Sequence, residues 1–176
     1  MDLEEKKLSS KNVFKGTLLD VYQDEVLCPN GNKSKREYIR HNGASCVIPF
    51  LPNGKVIVEK QFRYPFNEVV YEFPAGKCDL GEDPLETAVR ELREETGCIA
   101  GNIQFLGDMY PSCAYSTEVI HLYMANVTER VETEFDEDEN LEIVEMTLEE
   151  VKTLVKERKM KDAKSLCILT YLSLKD

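Results

Sequence analysis

From Phe14 to about Arg40 apolar and polar positions alternate with a period of two, through Leu19, Val21 and Tyr22 and then Glu25-Val26-Leu27. The alternation breaks at Pro29-Asn30-Gly31-Asn32 and resumes at Arg36-Glu37-Tyr38-Ile39, which predicts two or three short antiparallel strands around a turn. Strands this short need a partner surface, either the rest of the chain or another subunit. Two β-branched runs follow, Ala44 to Phe50 and Lys55 to Gln61, joined at Pro52-Asn53-Gly54 and read as a hairpin of the main sheet. After Val69-Val70-Tyr71-Glu72-Phe73 the segment Pro74-Ala75-Gly76 predicts a break.

A helix is expected next. Asp83 can cap it, Pro84 suits its first position, and Leu85, Ala88, Val89 and Leu92 fall at i, i+3, i+4 and i+7, with Gly97 placed to stop it. Strands are predicted at Ile103 to Met109, Glu118 to Val127 and Leu141 to Met146, with an acidic loop from Glu132 to Asn140 before the last. Thr147 and Glu150 form a capping box ahead of Leu148, Val151, Leu154 and Val155, and a final helix is expected over Ala163 to Leu174. Strands, helix, strands, helices in this order imply an α+β layer architecture with a mixed sheet.

Composition narrows the function. With 42% hydrophobic and 31% charged residues, the 176-residue chain can bury a core of its own. A net charge of −11 without a basic patch argues against binding of nucleic acid. The same field repels a small phosphorylated substrate, so an enzyme acting on one would need bound cations to reverse the sign locally. The six cysteines show no metal-type spacing and are read as free thiols of a reducing cytosol. Neither a signal-peptide core nor a membrane-spanning stretch is present, so no membrane partner and a cytoplasmic location are expected.

The predicted helix carries Arg90-Glu91-Leu92-Arg93-Glu94-Glu95, which puts Glu91, Glu94 and Glu95 at i, i+3 and i+4 on one face. Like charges so close are costly without a cation, and hard oxygen ligands free of His or Cys suit Mg²⁺, with Mn²⁺ as the alternative. An acidic helix face by itself is more often only solvated; the surrounding residues change that reading.

From Gly76 to Cys98 the chain resembles the Nudix box, G-x5-E-x7-R-E-U-x-E-E-x-G-U, where U is bulky and apolar. Gly76, Glu82, Arg90, Glu91, Leu92, Glu94, Glu95 and Gly97 fill its positions, and only Cys98 is an unusual occupant. The resemblance implies a metal-dependent pyrophosphohydrolase with a Nudix fold: a mixed sheet flanked by helices in an α/β/α sandwich. Within it Arg90 would orient the box carboxylates, and Glu91, Glu94, Glu95 and the carbonyl of Ala75 would hold the metal, with Glu94 and Arg90 counted as catalytic.

The flanks are similar to the ADP-ribose pyrophosphatase branch of that family. Gly16, Asp24-Glu25-Val26, Arg36-Glu37, Gln61-Phe62-Arg63-Tyr64-Pro65 and Glu72-Phe73-Pro74-Ala75-Gly76 carry this likeness. It implies a small N-terminal antiparallel sheet in residues 1–42 that builds a homodimer, a catalytic domain in residues 43–176, and a nucleoside diphosphate substrate touched by Arg63, Arg36, Glu37 and Glu118. The branch's Ser-Pro-Gly-aromatic marker is replaced here by Ser112-Cys113-Ala114-Tyr115, although Tyr115 and Glu118 match. Other ADP-sugars and GDP-mannose therefore stay open as substrates. A nucleoside triphosphate pyrophosphohydrolase acting on oxidised dGTP shares the box but usually lacks the extra N-terminal strands, and a ligand-binding module without turnover would be expected to lose box carboxylates, none of which is missing. The acidic loop matches one that delivers a general base, with Glu139 the first choice and Glu137 the second.

Overall fold

The computed structural model describes residues 3–134 and 140–174. They divide into two compact units, residues 3–42 with 110–118, and residues 43–109 with 119–134 and 140–174.

The first unit is a three-stranded antiparallel sheet in the order β1 (Lys6–Lys15), β2 (Asp20–Leu27), β3 (Lys33–Ile39). Strand β1 was not expected from the sequence. All ten of its residues are exposed, and irregularities between Lys7 and Ser9 and between Asn12 and Phe14 break the period-two pattern that would reveal it. Tyr22 and Tyr38 stack with centroids 5.9 Å apart, and Arg40 lies 3.9 Å from the centre of the Tyr22 ring.

The second unit is built on a seven-stranded sheet with the path β10-β5-β4-β9-β8. Its strands are β4 (Ala44–Phe50), β5 (Val56–Arg63), β6 (Glu68–Glu72), β7 (Ala75–Lys77), β8 (Cys98–Met109), β9 (Ile120–Arg130) and β10 (Leu141–Met146). Helices α1 (Pro84–Thr96), α2 (Leu148–Lys156) and α3 (Ala163–Ser173) complete it. Strand β4 is buried along nearly its whole length, and its side chains divide between two cores. Cys46 and Ile48, with Val56, Val58 and Leu122, pack with Val151 and Leu154 of α2 and Ile168 of α3. Val47, Ile57, Tyr123 and Ala125 pack with Ala88 and Leu92 of α1. The mixed sheet thus lies between two helical layers, with β4 and β9 its parallel pair.

The expected hairpin exists only at its mouth. Strands β4 and β5 pair at Phe50 and Val56 and then part. Strand β6 pairs along β5, with Glu72 opposite Glu59, and β7 pairs along β4, with Ala75 opposite Cys46. Residues 72–75 therefore cross the fork between the two strands. The break expected at Pro74 is this crossing, and pairing resumes at Ala75 instead of stopping.

Helix α1 starts and stops on the residues that the sequence marks. The Asp83 carboxylate accepts from the Leu85 amide at 2.8 Å, and Gly97 ends the helix at φ 68°. A Cβ at Gly97 would fall 2.2 Å from the carbonyl oxygen of Val131, so glycine is required twice over. The buried face differs from the expected stripe: Leu85 and Val89 are 41% and 45% exposed, while Thr87, Ala88, Leu92, Glu95 and Thr96 face inward. All six cysteines are free thiols. Among the described residues no helix is long and apolar enough to cross a membrane.

Candidate active site

Helix α1 and the turn before it fix a network of carboxylates around one guanidinium. Arg90 donates from Nε to Glu82 Oε1 and from Nη2 to Glu82 Oε2, each at 3.0 Å. Its Nη1 reaches Glu91 at 2.8 Å and Glu94 at 3.1 Å, and Nη2 also donates to the Lys77 carbonyl at 3.2 Å. Glu82 accepts in addition from the Thr87 hydroxyl at 2.7 Å and the Asp79 amide at 2.9 Å. The Arg90 hydrogen bonds, then those of Asp79 and Thr87, hold the Glu82 carboxyl down at about 2. Arg90 is correspondingly raised, Glu82 being the chief cause. Glu82 is thus an ionised anchor for Arg90, which in turn sets the Glu91 and Glu94 carboxylates.

Glu95 is only 4% exposed and accepts from the Ala75 amide at 3.0 Å. A buried carboxylate needs such a donor, and this bond ties the fork crossing to α1. Gly76 lies against Glu91: a Cβ built there would come within 1.9 Å of the Glu91 carboxylate. The glycine leaves room for an acid that any side chain would displace.

No three His, Cys, Asp or Glu side chains among the described residues form a ready-made metal cage, and Arg90 Nη1 stands between Glu91 and Glu94. The donor chemistry nevertheless fits a hard divalent cation. Glu91, Glu94 and Glu95 offer only oxygen, and the Gly76 cradle gives the Glu91 carboxylate space beside the Ala75 backbone.

Arg63 belongs to the same unit and is held by an ion-pair chain. Its Nε and Nη2 donate to the two oxygens of Glu72 at 2.8 and 2.7 Å. Lys164 of α3 also donates to Glu72, and it contacts Asp162 at 3.0 Å. Burial pulls Arg63 down, but Glu72 outweighs it, with further help from Asp162 and Glu95, and the guanidinium stays above its ordinary value. Glu72, Asp162 and Lys164 were not singled out from the sequence. Their signal was there: Glu72 is a lone acid in the apolar run Val69 to Phe73, and Asp162-Ala163-Lys164 opens a helix in which Lys164 is buried.

The remaining expected residues are distributed differently. Arg36, Glu37 and Glu118 fall in the first unit, whereas Arg63, Ala75, Arg90, Glu91, Glu94 and Glu95 fall in the second. Arg36 pairs with Glu5, Glu37 accepts from Gln23 at 2.8 Å, and Glu118 stands 3.8 Å from His41. Glu137 and Glu139 lie outside the described residues.

A model of the NUDIX domain matches residues 39–167. The chain is 41% identical over 176 residues to an ADP-ribose pyrophosphatase of Bacillus subtilis (strain 168), a match covering 99% of this chain and 95% of that protein. It is 38% identical over 175 residues to a methanol dehydrogenase activator of Bacillus methanolicus, covering 98% and 95%. A solved structure described as an ADP compounds hydrolase superposes with a TM-score of 0.85 over 98% of this chain and 95% of that one. At 22% identity this likeness speaks to the fold.

Proposed function

Because this chain belongs to the Nudix family, we propose that it hydrolyses the pyrophosphate bond of ADP-ribose to AMP and a sugar phosphate, with Mg²⁺ as its metal. The observation that carries the reaction class is the all-oxygen face of α1, with Glu91 seated against Gly76 and Glu95 tied to the Ala75 amide. The choice of ADP-ribose is supported by the likeness to the Bacillus subtilis pyrophosphatase across nearly the whole chain.

Glu91, Glu94, Glu95 and the Ala75 carbonyl would hold the metal, which when bound supplies charge neutralisation of the pyrophosphate and activation of the attacking water. Arg90, itself fixed by Glu82, keeps Glu91 and Glu94 turned toward one another against their mutual repulsion. Arg63 presents the free side of its fork to an anionic group of the substrate, since Nη1 lies opposite the edge bound to Glu72. The water oxygen bonds to phosphorus as the bridging P–O bond breaks, and Glu139, or Glu137 in its place, accepts the water's proton. Arg36, Glu37 and Glu118 are assigned to substrate contact in a homodimer formed through residues 1–42, in the cytoplasm.

A substrate panel with Mg²⁺ or Mn²⁺, scored by product, tests this reading: AMP release from ADP-ribose should exceed turnover of GDP-mannose and of oxidised dGTP. Glu95→Gln should lower kcat more than about a hundredfold and shift the metal dependence, since a charged ligand worth at least about 3 kcal/mol in the transition state is lost. A variant retaining over half of wild-type turnover at saturating metal would place the active site elsewhere.

A further inference from the structure

We propose that Lys164 is a positioning residue for the hydrolysis: acting through Glu72 from the buried side, it fixes the guanidinium of Arg63 that faces substrate. The inference rests on the reading of Arg63 given above.

Glu72 is only 3% exposed at its side chain and receives two cations at once. Arg63 occupies both of its oxygens from the open side, being 41% exposed, while Lys164, 10% exposed, meets Oε2 from within. A buried carboxylate paired with Arg63 alone would cancel the charge that Arg63 offers an anion. Lys164 comes with Asp162, so the four side chains sum to zero charge, and what Lys164 supplies to Arg63 is the position of Glu72. Planar bidentate pairing also allows Arg63 one orientation, so whatever fixes the plane of Glu72 fixes the direction of Nη1.

The opening of α3 is anchored so that Lys164 can do this. Asp162 caps the helix, accepting from the Ser165 amide at 2.9 Å and its hydroxyl at 2.6 Å, and holds the ammonium of Lys164 at 3.0 Å. The Ser165 hydroxyl then accepts from the Phe73 amide at 2.8 Å, next to Glu72 in the fork crossing. Lys164 and Ser165 therefore grip consecutive residues of the fork crossing, which continues to Ala75 and its bond to Glu95. Burial pulls the Lys164 ammonium down, yet Asp162 and Glu72 hold it raised, so the cation stays charged throughout the working range. A purely space-filling role would not call for a charged side chain flanked by two acids at a buried position.

The experiment compares Lys164→Met with Lys164→Arg in the full chain, in otherwise wild-type protein and in an Arg63→Lys background. In wild-type protein Lys164→Met should raise KM for ADP-ribose at least about tenfold, with a smaller change in kcat, and Lys164→Arg should restore most of the affinity. In the Arg63→Lys background Lys164→Met should add less than about twofold, because the group it acts through is already altered. A lowered melting temperature with KM unchanged, or equal effects in both backgrounds, would overturn the proposal. A readout independent of turnover is the Nε–H resonance of Arg63 in protein labelled with ¹⁵N-arginine. It should move or broaden in Lys164→Met and return in Lys164→Arg; an unmoved resonance also overturns the proposal. If wild-type protein leaves ADP-ribose intact while the resonance behaves as expected, the substrate assignment fails and the link from Lys164 to Arg63 stands. Should Lys164→Met not fold, Lys164→Ala, which likewise removes the donor to Glu72, makes the same comparison.

Discussion

Gly76 and Glu91 are matched as an empty place and its occupant: the carboxylate of Glu91 fills the volume where a Cβ on residue 76 would stand, 1.9 Å from its Oε1. The clash in Gly76→Ala would be with the far end of a flexible side chain, so relief requires only that the carboxylate swing away. The variant should therefore fold with nearly wild-type thermal stability yet lose about a hundredfold in turnover, the scale expected when a reacting geometry shifts by about 1 Å. Circular dichroism melts alongside steady-state kinetics separate the two effects, and near-normal turnover would show that Glu91 tolerates displacement.

The Glu82–Arg90 pair makes a pH prediction. The Glu82 carboxyl lies at about 2 in the folded protein against an ordinary 4.5, so its ionised form stabilises the fold. That contribution is complete above about pH 4.5 and is lost as pH falls toward about 2. Glu82→Gln should lower the melting temperature at neutral pH and flatten its decline through that acid window. A variant whose decline parallels the wild type would mean that other carboxylates govern acid unfolding.

The first unit supplies a test of assembly. Strand β1 leaves Leu8, Val13 and Phe14 from 46% to 55% exposed on a three-stranded sheet, an apolar surface that a second copy of the chain would cover. Sedimentation should find the full chain dimeric at micromolar concentration and a form lacking residues 1–41 monomeric. A monomeric full chain would remove the homodimer and, with it, the assignment of Arg36 and Glu37 to a shared substrate site.

For the acidic loop, Glu139→Gln should depress kcat while leaving KM and metal affinity near wild type, because a base acting on the attacking water adds little to ground-state binding. If Glu137→Gln has this effect instead, the role moves by two residues. Two silent variants would reduce the loop to a solvated turn.

What could be read in the sequence depended on how local its cause is. Helix α1 was legible because Asp83, Pro84 and Gly97 each act within a turn of the backbone, and the capping box of Thr147 and Glu150 is equally local. The carboxylate face was legible from spacing alone, but its depth was not. Glu95 turned out to lie inward with Leu92, since the helix packs along Ala88 and Leu92 and leaves Leu85 and Val89 outside. Strand β1 escaped because its bulges erase the alternation, and β7 because three residues beside a proline look like a turn. Glu72 and Lys164, far apart in the chain, meet only once β6 and α3 are packed, and no periodicity anticipates such a contact.

Strand β4 finds its parallel neighbour late. Ala44 is aligned with Ile120 and Phe50 with Asn126, so everything from the fork crossing through α1 and β8 must leave the ribosome before β4 gains that edge. Pairings between such distant segments close slowly, and an apolar strand left open meanwhile is exposed to aggregation. During synthesis the carboxylates of α1 exist before the sheet that aims them, and the competence of the first half of the chain waits on the second.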